Sequence, residues 1–370
     1  MPDWAAVRSE FPALRDWTYL NTATYGQLAR RTTGAVMAHF AKRDETACAD
    51  FMTWFDDLDQ IRASLGRLVH CDATDIAFVP NASTALALMM SAVAWSPGDR
   101  IVAIQDEFPN NLYFPAHVAA RGVEFVETPW DTFYDAVNER TRLVLMSTVN
   151  YSNGLRPPLA DVSRHVHRHG ALFYVDGTQS VGALEFRVPE VKPDMLSVHG
   201  YKWLLSPSGA GFMYVSPELR RVLRPNIIGW RSDRRWREVD NLHHGAPEFV
   251  DSAEKYEGGG PNFPSIYGMG AAVDWMLELG PEAIEQRVLE LAAECTCILE
   301  RAGARIAHKG SPIMAARFAG LDVQRLSAEL KARRILTAAR HGHLRVSVHF
   351  YNNESDLRVL SDTLHDLIRA

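Results

Sequence analysis

Between residues 76 and 215 the chain alternates short apolar runs with stretches of helical periodicity, and this rhythm admits few architectures. Apolar runs at 76–79, 101–104, 123–127, 143–149, 171–175, 195–198 and 211–215 read as strands. Helical patterns fall between them, at 83–94, 111–121 and 159–169. Such alternation predicts an α/β fold with a mostly parallel sheet covered by helices. In sheets of this kind ligands sit beyond the carboxyl ends of the strands, so function is sought in the residues that follow each strand.

Gly258-Gly259-Gly260-Pro261 is a strong breaker, and the texture changes after it. Helical stretches at 265–279 and 281–302, strand-like pieces at 313–318 and 344–348, and a final helix at 354–369 predict a smaller α+β domain. The expected division is a large domain of residues 21–257 and a small one of 1–20 plus 258–370.

The chain's 370 residues are enough for two cores. Hydrophobic residues make up 47% and charged residues 23%, an ordinary globular composition. A net charge of −6 offers no basic footprint, so nucleic acid is not an expected partner. No apolar run approaches the roughly 20 residues needed to span a bilayer, so no membrane partner is expected. Met1-Pro2-Asp3-Trp4 has neither the basic nor the apolar region of a signal peptide. Cys48, Cys71, Cys295 and Cys297 do not make a disulfide scaffold, and a reducing cytoplasm is the expected compartment. His165, His167 and His169 read as the solvated end of a helix rather than a metal site, and none is expected elsewhere. No glycine-rich dinucleotide fingerprint follows the first strand. Arg231, between Trp230 and Trp236, reads as a surface loop, a lid or an oligomer contact.

Three strand ends carry chemistry. After 76–79 comes Pro80-Asn81-Ala82-Ser83-Thr84 and a helix start, where free N–H groups and the positive dipole end suit an anion. An ordinary serine cap would look the same. After 171–175 comes Asp176-Gly177-Thr178-Gln179-Ser180, an acid where a cofactor would lie. After 195–198 comes His199-Gly200-Tyr201-Lys202-Trp203, a lysine among aromatic residues. Desolvation there lowers a lysine's pKa and makes it a better Schiff-base nucleophile. Each signal alone is weak. Their order, with Asp176 and Lys202 separated by 26 residues, is far more specific.

This order and spacing resemble the fold type I pyridoxal-phosphate (PLP) enzymes and, in detail, the class V aminotransferase family. The resemblance runs over nearly the whole chain. It implies that Lys202 carries PLP as a Schiff base and acts as the catalytic base. It implies that Asp176 holds the pyridine nitrogen and that Gln179 reaches the ring hydroxyl. Ala82, Ser83, Thr84 and His199 would hold the phosphate, and Phe108 would stack on the ring. Tyr19-Leu20-Asn21-Thr22-Ala23-Thr24-Tyr25-Gly26 is similar to the family's N-terminal substrate loop, which brings in Asn21. Arg345-Val346-Ser347-Val348-His349-Phe350-Tyr351-Asn352 is similar to its C-terminal arginine segment, and Arg345 would clamp the substrate carboxylate. In Asn150-Tyr151-Ser152-Asn153-Gly154 either Asn150 or Tyr151 would touch ring hydroxyl or substrate. A homodimer with a small amino acid as substrate is expected from the same resemblance.

The departures narrow the chemistry. The family's cysteine desulfurases carry a nucleophilic cysteine shortly before the arginine segment, and a histidine over the ring. Here the first stretch is Leu336-Thr337-Ala338-Ala339-Arg340-His341-Gly342-His343, with no cysteine, and the second position is Phe108. A persulfide route is therefore not expected. Gly259-Gly260-Pro261 lacks the threonine that family members extend to a neighbouring subunit's phosphate. Transamination is the working expectation. A C–S or β-elimination lyase and an epimerase are the alternatives, and the loop before Arg345 looks closest to epimerase-like and sulfoxide-lyase-like relatives.

Overall fold

A computed structural model describes residues 2–369. Seven strands form the main sheet: β1 (Ile76–Val79), β2 (Arg100–Ile104), β3 (Glu124–Thr128), β4 (Thr141–Ser147), β5 (Leu172–Asp176), β6 (Met195–His199) and β7 (Gly211–Val215). Their spatial order is β1-β7-β6-β5-β4-β2-β3. Neighbours pair parallel, except that β7 runs antiparallel to both β6 and β1. Only residues 200–210 join β6 to β7, too short a link for the helical crossover that a parallel partner needs.

Alternation along the strands builds a core on each face. Val102, Ile104, Val144, Met146, Phe173 and Val175 face one core. Ile101, Ala103, Leu143, Leu145 and Tyr174 face the other. Helices α1 (Phe51–Val69), α2 (Ala82–Ala92), α3 (Asn110–Val118) and α4 (Leu159–Arg168) lie over the sheet. α1 and α4 cover the first face, α2 and α3 the second. Burial on both faces explains why these strands read as unbroken apolar runs.

Past the glycine breaker come α5 (Phe263–Leu279), α6 (Pro281–Arg301) and α7 (Glu354–Arg369). Four more strands form an antiparallel sheet of order β10-β11-β9-β8: β8 (Ala304–Ile306), β9 (Ile313–Phe318), β10 (Ala338–Arg340) and β11 (His343–Ser347). A third core, with Leu291, Leu299, Met314, Leu344, Val346 and Leu360, lies under it. The N-terminal segment ties the two sheets together. Thr18–Tyr19 pairs parallel with Ile335–Leu336. Arg8 holds Asp356 at 2.7 and 2.9 Å, and Phe11 packs among Trp275, Phe350 and Tyr351.

An expected division at 257/258 puts α5 with the small sheet, yet Ile266, Met269, Val273 and Met276 of α5 lie in the large core. Ile284 and Val288 of α6 lie in the same core and its Leu291 and Leu299 in the small one, so α6 bridges the two cores just past Gly280, whose φ is +87°. Arg231 and Trp236, read from sequence as part of a surface loop, a lid or an oligomer contact, are buried. Glu254 and Glu257 pair with the arginine, and Phe55 and Trp236 flank it. Among the described residues no helix is long and apolar enough to cross a membrane.

Candidate active site

The carboxyl ends of β2, β4, β5 and β6 deliver the chemistry to one side of the sheet. Lys202, just past β6, is 6% exposed. Burial pulls its pKa down to about 8; Asp176 opposes that shift, while Arg345 and Arg340 add to it. Its Nζ stands 5.3 Å from the Phe108 ring centroid and 5.4 Å from that of Tyr201. Phe108 itself is exposed on its outer side. The N-terminal segment presses on the lysine's backbone: Gly26 N donates to Tyr201 O at 2.9 Å. A Cβ at Gly26 would stand 2.0 Å from Lys202 O, so only glycine permits this approach.

Asp176 is the last residue of β5 and is buried. Its Oδ1 accepts from Thr178 N at 2.9 Å, and Asn111 Nδ2 lies 3.5 Å from Oδ2. Behind it sits Glu107, which the sequence reading did not single out. Glu107 accepts from Ser147 N at 2.7 Å, Ser147 Oγ at 2.5 Å and Asn111 Nδ2 at 3.1 Å. Its burial raises the carboxyl pKa; these donors oppose that rise and nearby Asp176 adds to it. The available signal was only an acid directly before Phe108, in the polar run Gln105-Asp106-Glu107 past the strand. Asp106, with a φ of +61°, turns the chain there.

At the helix start the cap is Asn81. Its Oδ1 accepts from Thr84 N at 2.9 Å and Thr84 Oγ1 at 3.2 Å. The Thr84 hydroxyl is thus engaged, Ser83 is exposed, Ala82 is buried, and the N–H groups of the first turn have no intrahelical partner. His199 Nε2 is buried without a hydrogen-bond partner. Burial, helped by Lys202, lowers this imidazole's pKa to about 4, so the ring is neutral near neutral pH. Gln179 is largely engaged within the protein: Nε2 donates to Ala23 O at 3.2 Å, and Oε1 accepts from Trp203 Nε1 at 2.8 Å.

Arg345 enters from the small sheet. It is 2% exposed and meets no carboxylate among the described residues. Its guanidinium donates to Tyr151 O at 2.7 Å and Thr24 Oγ1 at 2.5 Å, with Asn21 Oδ1 at 3.5 Å, and Nε has no partner. Burial lowers its pKa to about 10. Asn150 shapes the loop: its Oδ1 takes Ser152 N, Ser152 Oγ and Asn153 N, and its Nδ2 donates to Asp106 O. Tyr151 faces the site, edge-on to Phe108 at 5.2 Å, with its hydroxyl 2.8 Å from His341 Nε2. The stretch before Arg345 is a two-residue turn, His341-Gly342, with no room for a reactive-cysteine loop. Cys295 and Cys297 lie on α6, Cys71 follows α1, and burial pushes the Cys71 thiol up to about 12.

These groups fit a phosphorylated pyridine aldehyde. A desolvated amine, a buried carboxylate, an unpartnered imidazole nitrogen, an open helix start and a free aromatic face lie at neighbouring strand ends.

The class-V aminotransferase family model matches residues 49–360. The chain therefore belongs to the class V aminotransferases, a family of PLP-dependent enzymes. It is 23% identical to a probable cysteine desulfurase of Methanothermobacter thermautotrophicus, over 98% of this chain and 97% of that protein. It is 26% identical to the isopenicillin N epimerase of Streptomyces clavuligerus, over 99% and 98%. The solved complex of the cystine C–S lyase C-DES with cysteine persulfide superposes with a TM-score of 0.87 at 22% identity, covering 96% of this chain and 99% of that one.

Proposed function

We propose that Lys202 anchors PLP and that the site transforms a small α-amino acid, with transamination as the reading put forward. One observation carries the cofactor and substrate class: a desolvated lysine beside an aromatic face, with a buried arginine lacking any carboxylate partner at the same mouth. Asp176 holds a proton on the pyridine nitrogen. The α2 start and His199 Nε2 hold the phosphate, and Phe108 covers the ring. Arg345 takes the substrate carboxylate in a charge-assisted pair, with Asn21 and Thr24 steadying the guanidinium. Bound there, the cofactor draws off the electrons left at Cα when its proton leaves. Lys202, its pKa pulled down to about 8 by burial, is the base that removes that proton.

Where the proton returns decides the reaction. Transamination and β-elimination both run on Lys202 alone, whereas epimerisation needs a donor on the opposite face of Cα. Tyr151, edge-on to Phe108 and bonded to His341, is the candidate for that role. A route through a persulfide on an enzyme cysteine lacks its nucleophile in the stretch before Arg345. The test is an amino-acid screen scored for keto acid, eliminated product and inverted substrate, with and without an added keto-acid acceptor. Keto acid that requires the acceptor supports transamination; pyruvate or ammonia without it assigns a lyase, and loss of optical rotation alone an epimerase.

A second copy of the chain is proposed to cover the exposed apolar residues Met37, Phe40, Phe51, Ile227 and Ile228. Light scattering at twice the mass of the chain supports this; a monomer at micromolar concentration refutes it.

A further inference from the structure

We infer that the β10–β11 hairpin carries a second anion site, centred on Arg340, so that the preferred substrate is an α-amino acid whose side chain ends in a carboxylate, sulfinate or sulfonate. The inference rests on the proposed function, because it takes Arg345 as the partner of the α-carboxylate.

Register places Arg340. β10 and β11 pair antiparallel, with Ala338 opposite Arg345 and Arg340 opposite His343. Opposed residues project from the same face of a sheet, and residues two apart share a face. Ala338, Arg340, His343 and Arg345 therefore share one face, and Ala339 and Leu344 the other. Leu344 lies in the small core. The opposite face is the one whose Arg345 reaches Asn21, Thr24 and Tyr151. Arg340 projects on that side.

The hairpin gives it little freedom to leave. His341 and Gly342, with φ of +46° and +76°, make the tight two-residue turn that matches strand twist. His341 Nε2 pins the turn to the Tyr151 hydroxyl at 2.8 Å. Tyr151 packs on Phe108, and Phe108 lies beside the Lys202 amine. A short run of neighbouring groups thus leads from the reacting amine to the hairpin tip.

Arg340 is exposed, and its hydrogen bond goes to its own neighbour, Ala339 O, at 2.9 Å. No carboxylate pairs with it among the described residues. Its positive charge reaches Lys202 and Arg345, where it adds to the lowering by burial, and Tyr151, where it opposes the rise that burial causes. Of the acids nearby, Glu107 is buried on Ser147 and Asn111, and Asp176 faces the pyridine position. Asp106 lies exposed at the mouth, and its charge reaches Tyr151. Once a substrate α-carboxylate neutralises Arg345, Arg340 is the cation left for a side chain to meet. Water and salt screen an exposed guanidinium, so the expected preference is about tenfold rather than a thousandfold.

The experiment titrates the visible absorbance of the PLP-loaded enzyme with L-aspartate, L-glutamate and L-cysteine sulfinate, and with asparagine and glutamine as neutral near-isosteres. The inference predicts that each dicarboxylic acid binds about tenfold more tightly than its amide, and that added salt shrinks the ratio. Arg340→Gln brings the acid-to-amide ratio close to one, and Arg340→Lys recovers part of it. A merely structural role for Arg340 would move acid and amide alike. Ratios near one in the unmodified enzyme, or a ratio untouched by Arg340→Gln, overturn the inference. The relative affinities of aspartate and cysteine sulfinate tell a carboxylate from a sulfinate. If no amino acid perturbs the absorbance, the proposed function has failed and takes this inference with it.

Discussion

Two arginines are buried to almost the same degree and have opposite surroundings. Arg231, 1% exposed, is neutralised by Glu254 at 2.6 Å and Glu257 at 2.8 Å and flanked by Phe55 and Trp236. Arg345, 2% exposed, meets only a carbonyl, a hydroxyl and an amide oxygen. Burying a charge without a counter-ion is costly, so it persists where something other than the fold requires it. Arg231 completes its own network, with Arg62 on the far side of Glu257. Arg345 has no such network, and the proposed function gives it a substrate carboxylate as partner. The difference separates a structural cation from a functional one more clearly than burial does.

The strongest way to break the comparison is Arg231→Leu. It strands Glu254 and leaves Glu257 with Arg62 alone, and the expected loss is about 3 kcal/mol of unfolding free energy. A denaturant midpoint shifted by less than about 1 kcal/mol would put Arg231 in the same category as Arg345. Arg345→Leu reverses the pattern. Amino-acid affinity should weaken by about 100-fold to 1,000-fold, the worth of roughly 3–4 kcal/mol in a buried charge pair, without a drop in unfolding free energy.

Lys202 is the third buried cation and sharpens the contrast through pH. The folded lysine releases its proton near pH 8 against 10.5 when unfolded, because burial disfavours the charge. Across that window the unfolded chain binds more protons, so native stability rises with pH; below about pH 8 the penalty is complete. In cofactor-free protein, the stability of the unmodified chain relative to Lys202→Met should therefore climb by about 3 kcal/mol between these pH values. A flat difference in paired denaturant titrations contradicts a desolvated lysine. The smallest effect is expected at the neutral cap: Asn81→Ala should cost about 1 kcal/mol of stability and weaken inorganic phosphate binding.

The α/β class and the strands of the main sheet were legible because a sheet buried on both faces leaves unbroken apolar runs. Strand ends were less so: β4 stops at Ser147 rather than 149, and β5 runs on to include Asp176. β8 and β10 have three residues each, too short to show a period. The antiparallel direction of β7 follows from the length of its connection, which apolar patterning does not encode. Around the site, residues adjacent in sequence were readable and pairs distant in sequence were not. Asp176, Lys202 and Arg345 stand in local motifs. The burial of Arg231 depends on Glu254 and Glu257, over 20 residues away, so a charged stretch between tryptophans read as surface. At the helix start the sequence pointed to Ser83 and Thr84, whereas Asn81, in extended backbone two residues before Ser83, makes the cap.

The central claim is that Lys202 anchors PLP, and one measurement tests it most directly: the visible absorbance of the purified protein with added PLP, before and after borohydride, followed by peptide mass mapping. A Schiff base on Lys202 gives a yellow band that borohydride bleaches and a phosphopyridoxyl mass on Lys202. A protein that stays colourless with PLP, or that carries the label on another lysine, would contradict it.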